Sequence, residues 1–203
     1  MRGRLPEGRD FVNLLVCGVG GQGVLLFSDL LGSVALSAGL DVKKSEVHGM
    51  AQRGGSVSTH VRYGRKVYSP LIEEGTADMV VAFERLEALR YSHFLARNGR
   101  LVYDEYRLDP LPVQSGLVER PDDASLDERI AARVRRHVAV SAFATAVRLG
   151  NARVQNVVML GAVSRFLEFP VESFRDAIRQ TVKPALVELN IAALAEGRRL
   201  TGK

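Results

Sequence analysis

The residues best suited to chemistry lie between Cys17 and Leu31, in CGVGGQGVLLFSDLL, where Gly18, Gly20 and Gly23 have the G-x-G-x-x-G spacing and enclose Gly21 and Gln22. Glycines in such a turn admit close backbone approach, and the start of the following helix offers unpaired N–H groups to an anion such as pyrophosphate. Three uses are open at this point: a nicotinamide or flavin dinucleotide, another anionic ligand, or tight strand-to-helix packing with no ligand. A dinucleotide fold adds an acidic residue at the end of the second strand, about 20 residues further on, to hold the ribose hydroxyls. Glu46 is the nearest candidate, and it stands in a polar stretch after a poor strand.

That stretch, SEVHGMAQRGGS from Ser45 to Ser56, gathers Glu46, His48, Gln52, Arg53, Gly54, Gly55 and Ser56 without apolar periodicity. An arginine there suits a bidentate grip on phosphate or carboxylate, and the glycines after it let a substrate or another chain approach the backbone. His48 can act as acid, base or donor. The bland alternative is a polar loop whose charges pair internally or touch a partner subunit. Elsewhere the chemistry thins out. The four histidines, His48, His60, His93 and His137, are scattered without ligand spacing, so no metal site is expected. Ser28 is not in a G-x-S-x-G elbow. Cys17, the one cysteine, excludes an intrachain disulfide and a cluster built from this chain's thiolates alone. At the end of an apolar strand it reads as a small buried core residue rather than a reactive thiol.

The elements that must position these residues alternate. Phe11 to Val16 predicts a buried strand, and Val24 to Ala38 a helix ended at Gly39. The less hydrophobic positions of that helix, Ser28, Asp29, Gly32, Ser33 and Ser37, include no Lys, Arg or Glu, so it is expected to be covered on more than one side, by its own domain or by another subunit. A short strand is expected around Leu40 to Lys44. Val57, Thr59, Val61 and Tyr63 alternate, then turn near Gly64 into Val67 and Tyr68, predicting an antiparallel hairpin. ADMVVAFE and RLVYDEY read as strands around a helix RLEALRYSHFLARNG that ends near Gly99, and LDERIAARVRR and HVAVSA repeat the helix and strand after a Pro-containing segment. The rest reads as helices punctuated by Pro170, Pro184 and Gly197. The expected architecture is one three-layer α/β domain over residues 1–203, with a mostly parallel sheet, an antiparallel hairpin, a helical C-terminal part and a flexible segment 1–10.

Composition narrows the partners. The 203 residues are 46% hydrophobic and 25% charged, ordinary for a soluble globular chain. The 28 Lys and Arg against 23 Asp and Glu give +5, but spread along the chain, so nucleic acid is not expected. No apolar run approaches the ~20 residues that span a bilayer, and MRGRLPEGRD lacks a signal core, so no membrane contact and a cytoplasmic location are expected.

GVGGQG, SEVHGMAQRGGSVSTHVR, NVVMLGA and ELNIAAL, in that order and over almost the whole chain from about Asn13, together resemble the small (beta) subunit of indolepyruvate ferredoxin oxidoreductase. That subunit is equivalent to the gamma subunit or domain of 2-oxoacid:ferredoxin oxidoreductases. Pyruvate-type members tend to carry E-S-Y-G before the R-G-G, and the His48 and Gln52 version is similar to the indolepyruvate branch. Asp104 departs from the asparagine of many relatives. The resemblance implies oxidative decarboxylation of an aryl 2-oxoacid with coenzyme A as co-substrate and ferredoxin as acceptor. Thiamine diphosphate, Mg and 4Fe-4S clusters would reside on the large (alpha) subunit, with none bound by this chain alone. His48, Gln52 and Arg53 are then the catalytic candidates. The candidates for ligand binding are Gly18, Gly20, Gly21, Gln22, Gly23, Glu46, Arg53, Gly54, Gly55 and Ser56. A free-standing NAD(P)- or FAD-binding oxidoreductase and a non-catalytic assembly module are the rival readings.

Overall fold

A run of apolar residues with no polar alternation is the mark of a strand covered on both faces. In β1 (Phe11–Val19), Val12, Leu14 and Val16 enter one hydrophobic cluster, while Leu15 and Cys17 enter another on the opposite face. The computed structural model describes residues 5, 10–48, 54–109 and 111–202, with His48 described by its backbone. The residues expected to form a flexible N-terminal segment fall mostly outside these.

After β1 come α1 (Val24–Ser37), β2 (Asp41–His48), β3 (Ser56–Gly64), β4 (Ala77–Ala82), α2 (Arg85–Tyr91), β5 (Leu95–Asp104), α3 (Leu111–Gln114), α4 (Asp123–Arg133) and β6 (His137–Val140). The C-terminal part is helical: α5 (Ala142–Arg148), α6 (Gln155–Ser164), α7 (Val171–Thr181) and α8 (Val187–Leu200). The strand order is β2-β3-β1-β4-β5-β6. The pairs β1/β4, β4/β5 and β5/β6 are parallel, and β3 runs antiparallel to both its neighbours, β1 and β2. Helices α1, α5, α6, α7 and α8 contribute to the core on one face, and α2 and α4 to the core on the other. The expected three-layer, mostly parallel α/β arrangement is therefore present.

Three local expectations differ. The segment at Val67 and Tyr68 is not a strand partner of β3, and Tyr68 is 88% exposed; the antiparallel partners are β1 and β2, of which β2 extends to His48 and takes in residues expected to be a loop. The helix expected to reach Gly99 stops at Tyr91, and Gly99 lies inside β5. A Cβ there would come within 2.8 Å of the Ala77 carbonyl oxygen, at an irregularity in the β4/β5 register, so this glycine serves close strand approach rather than helix termination. Gly197 likewise stands within α8 and does not end it.

Helix α1 is covered by its own fold, against β1, β2, β3, α6 and α7. Ser28 is buried and its hydroxyl donates to the Val24 carbonyl at 2.9 Å, which spares it a partner elsewhere. Only the outer side, including Leu25, Asp29 and Leu36, is exposed.

Gly161 in α6 and Gly197 in α8 let these two helices approach backbone to backbone. A Cβ on Gly161 would overlap the Leu194 carbonyl oxygen, and one on Gly197 the Val158 carbonyl oxygen. Alanine would gain about 1 kcal/mol of helix propensity at either site, but the helices would have to separate. Gly161→Ala and Gly197→Ala are each expected to lower unfolding free energy by about 1–3 kcal/mol net, read by urea denaturation.

Candidate functional site

The glycine loop leaves β1 at the carboxyl end of the parallel strands, where α/β folds bind ligands. Its glycines divide into two jobs. Gly18 and Gly23 permit packing: a Cβ on Gly18 would come within 2.9 Å of both Gln22 Oε1 and Phe83 Cβ, and one on Gly23 within 2.5 Å of Asn156 Nδ2. Gly23 also adopts φ 82°, at the cap of α1, which disfavours any side chain. Gly20 and Gly21 instead form open wall. Gly21 has φ 108° with nothing near its absent side chain.

Gln22 is turned inward, 7% exposed. Its Oε1 accepts from the Val19 N–H at 2.8 Å, and its Nε2 donates to the Phe83 carbonyl at 2.8 Å, tying the end of β1 to the end of β4. Gln22 therefore braces the loop.

The second glycine pair meets the first. The Gly20 N–H donates to the Gly55 carbonyl at 2.8 Å, and the Gly54 N–H reaches the Gly20 carbonyl at 3.4 Å. The Gly54 carbonyl accepts from the Leu111 N–H at 2.8 Å, joining the start of α3 to the same assembly. Ser56 points away, its hydroxyl on the buried carboxylate of Glu87, which also accepts from Arg90 at 3.1 Å. Burial pushes the Glu87 carboxyl above its ordinary range, against these bonds.

Two cavities flank the loop. One, about 410 Å³, is lined by Gly20, Gly21, Gly23, Glu46, Val47 and Ser58. The other, about 560 Å³, lies between Gly20–Gly23 and Tyr106, Phe143, Arg153 and Asn156. Tyr106 and Phe143 stack there at 3.7 Å between ring centres. Glu46 thus shares a cavity with the loop, while pairing with Lys44 at 3.2 Å. The structure places the His48 backbone at the end of β2, opposite Val57, and Gln52 and Arg53 lie outside the described residues.

Asp104, Gln155 and Asn156 were not singled out as site residues by their spacing. Asp104 is 1% exposed and accepts from the N–H groups of Ala142 (3.0 Å), Phe143 (2.8 Å) and Tyr106 (3.2 Å), and from Gln155 Nε2 at 2.8 Å. It fixes the start of α5 and the chain leaving β5, which carry Phe143 and Tyr106. Burial raises its carboxyl from 3.8 to about 6, against those four bonds. Asn156 falls in a sequence block noted only for resemblance, and its contact with Gly23 gives that block a physical role.

The topology bears directly on the dinucleotide reading. In that fold the strand after the first helix pairs with the first strand and brings its acidic end to the ribose. Here antiparallel β3 takes that place and β2 is one strand further out. Iron–sulfur ligation also lacks a fitting donor set. Cys17 is fully buried, burial pushes its thiol well up, and the sulfur donates to the Glu87 carbonyl at 3.8 Å. Among the described residues no group of His, Cys, Asp and Glu could hold a metal ion, and no helix is long and apolar enough to cross a membrane.

The family described as pyruvate ferredoxin/flavodoxin oxidoreductase matches residues 13–200. The chain belongs to this family. It is 39% identical over 188 residues to indolepyruvate oxidoreductase subunit IorB of Archaeoglobus fulgidus, covering 92% of this chain and 93% of the relative. The Pyrococcus horikoshii subunit IorB is 37% identical, with 91% and 93% covered. Among solved structures, the fold is shared with a keto/oxoacid ferredoxin oxidoreductase gamma subunit from Geobacter sulfurreducens, at 23% identity and TM-score 0.68, covering 94% and 98%. It is also shared with 2-oxoglutarate:ferredoxin oxidoreductase from Magnetococcus marinus, at 20% identity and TM-score 0.74, where it covers 95% of this chain and 31% of that one. The resemblance read from the four sequence blocks is thus met by the family match.

Two outcomes test the geometry. Gly23→Ala combines a left-handed backbone with a clash on Asn156 and is expected to cost about 2 kcal/mol or more, whereas Gly21→Ala carries backbone strain alone and costs about 1 kcal/mol; urea unfolding ranks them. For Asp104, the folded state binds the proton more tightly than the unfolded chain. Its contribution is therefore present below pH 3.8 and is lost as pH rises through about 6. Relative to Asp104→Asn, the wild-type protein is expected to lose about 3 kcal/mol of unfolding free energy between those limits. Parallel profiles would contradict the raised carboxyl.

Proposed function

We propose that the chain is the small subunit of an indolepyruvate-type 2-oxoacid:ferredoxin oxidoreductase that works in the cytoplasm with a large alpha subunit. The complex converts an aryl 2-oxoacid, coenzyme A and oxidised ferredoxin to an arylacetyl-CoA, carbon dioxide and reduced ferredoxin. The observation that carries this reading is the similarity to IorB subunits over nearly the full length of both chains. Thiamine diphosphate with Mg, and 4Fe-4S clusters, supply the carbanion and electron-transfer chemistry from the large subunit. The buried Cys17 gives this chain no thiolate to share in that work.

This chain's part is to build one wall of the site. The start of α1 has no side-chain cap and no acidic residue in its first turn, so its N–H groups suit an anion. The Gly18–Gly23 loop and Arg53 receive the anionic part of coenzyme A, or order the large-subunit loop beside it, and His48 and Gln52 face the substrate channel. Leu25 and Val47, at 49% and 48% exposed on the rim of the smaller cavity, give the large subunit an apolar edge to cover.

Arg53→Ala in the assembled complex is expected to raise the KM for coenzyme A by about tenfold or more, the loss of one charge-assisted hydrogen bond, with kcat little changed. An unchanged KM removes the phosphate-clamp role. Co-expression with the large subunit, followed by 2-oxoacid- and coenzyme A-dependent dye reduction, tests the wider reading, and absence of complex and activity would end it.

A further inference from the structure

The opposite end of the sheet carries a further concave surface that the reaction above does not use. Around the amino ends of the parallel strands lies a cavity of about 540 Å³, with Val12, Tyr63, Met79 and Phe166 in its lining and Arg100, Arg136 and Arg165 about it. Some arginines of the fold, Arg85, Arg107, Arg120, Arg175 and Arg179 among them, pair with carboxylates. Among the described residues, others, such as Arg62 and Arg198, have no such pair, and neither have the three at this cavity.

Two of them are held in place. The Arg100 guanidinium lies over the Phe166 ring, 4.1 Å from its centre. Arg136 Nη1 donates to the Asn98 carbonyl at 3.3 Å, and the Arg136 carbonyl accepts from the Leu101 N–H at 2.9 Å. Burial, and after it the Arg136 charge, hold Arg100 below the usual guanidinium range. Tyr63 is 3% exposed, and among the described residues its hydroxyl has no hydrogen-bond partner although it lines the cavity. Two carboxylates also face the space: Asp78, which accepts from the Asn13 N–H at 2.9 Å, and Glu168.

We propose that this cavity binds a small phosphate-bearing organic molecule, its phosphate held by Arg100, Arg136 and Arg165 with the Tyr63 hydroxyl, and its carbon framework laid on Phe166 and Val12. Three separate guanidinium groups suit a multiply charged tetrahedral anion better than one planar carboxylate, which a single arginine satisfies bidentately. The volume lies in the range of small-molecule sites, and the apolar floor supplies burial that a bare ion would not use. The site lies at the far end of the strands from the glycine loop and stands independently of the function proposed above.

The test uses the full chain in its complex, with inorganic pyrophosphate and ADP as probes and hydrogen exchange as the readout. Saturable protection is expected around residues 98–102 and 163–168, with ADP bound more tightly than pyrophosphate. The doubly substituted Arg136→Ala, Arg165→Ala protein is expected to weaken both by at least about tenfold. The Arg136→Lys, Arg165→Lys pair, which keeps the charges, retains most of the affinity, and Arg53→Ala leaves protection at this end unchanged. Protection confined to the glycine loop, a non-saturating response, or equal affinity in the alanine pair would overturn the proposal.

Discussion

The Phe83 carbonyl, at the point where the chain leaves β4, is the contact on which the site depends. Two buried side-chain amides donate to it, Gln22 at 2.8 Å and Gln155 at 3.3 Å. A backbone carbonyl buried so deeply is costly to leave unpaired. Satisfying it draws the glycine loop, the end of β4 and the start of α6 to one point. Asp104 extends the same network through Gln155, so the ends of three parallel strands are locked by side chains as well as by the sheet ladder. Rigid backbone results at the place where glycine alone would leave it loose.

Much of the fold was legible because burial on both faces writes a plain signal. LLV and MVV announce strands whatever their neighbours are, and Gly39, at φ 80°, ends α1 where its pattern stops. Strand partners left no comparable mark. The alternation of Val57, Thr59, Val61 and Tyr63 fixes a strand and its faces, but pairing with β2 was hidden because an edge strand such as DVKKSEVH need not be apolar. Gly99 and Gly197 were misread for one reason: a glycine that ends a helix and a glycine that lets another backbone approach look alike in a sequence.

The candidate site was legible in part. Glycine spacing located the loop, but could not separate Gly20 and Gly21, which form wall, from Gly18 and Gly23, which permit packing. Gln22 looked like a ligand-facing polar residue and is a brace, since its amide matches one free N–H and one free carbonyl within reach. Asp104, Gln155 and Asn156 come from distant parts of the chain and share no spacing that a linear reading can detect. The block NVVMLGA was recognisable before it was explicable: its asparagine meets Gly23 and its glycine meets α8.

The place of β1 at the centre of the sheet has a bearing on how the chain is made. Both of its neighbours, β3 and β4, follow it in sequence, with a helix and an edge strand intervening. As the chain leaves the ribosome, this apolar strand therefore emerges before both of its partners and cannot pair with them until they have been synthesised. Closing those distant pairings is entropically slow, and an unpaired apolar strand is open to wrong partners in the interval. Early packing of α1 on one face of β1 would shield half of that surface, giving the first helix a protective duty in biogenesis as well as its place in the finished core.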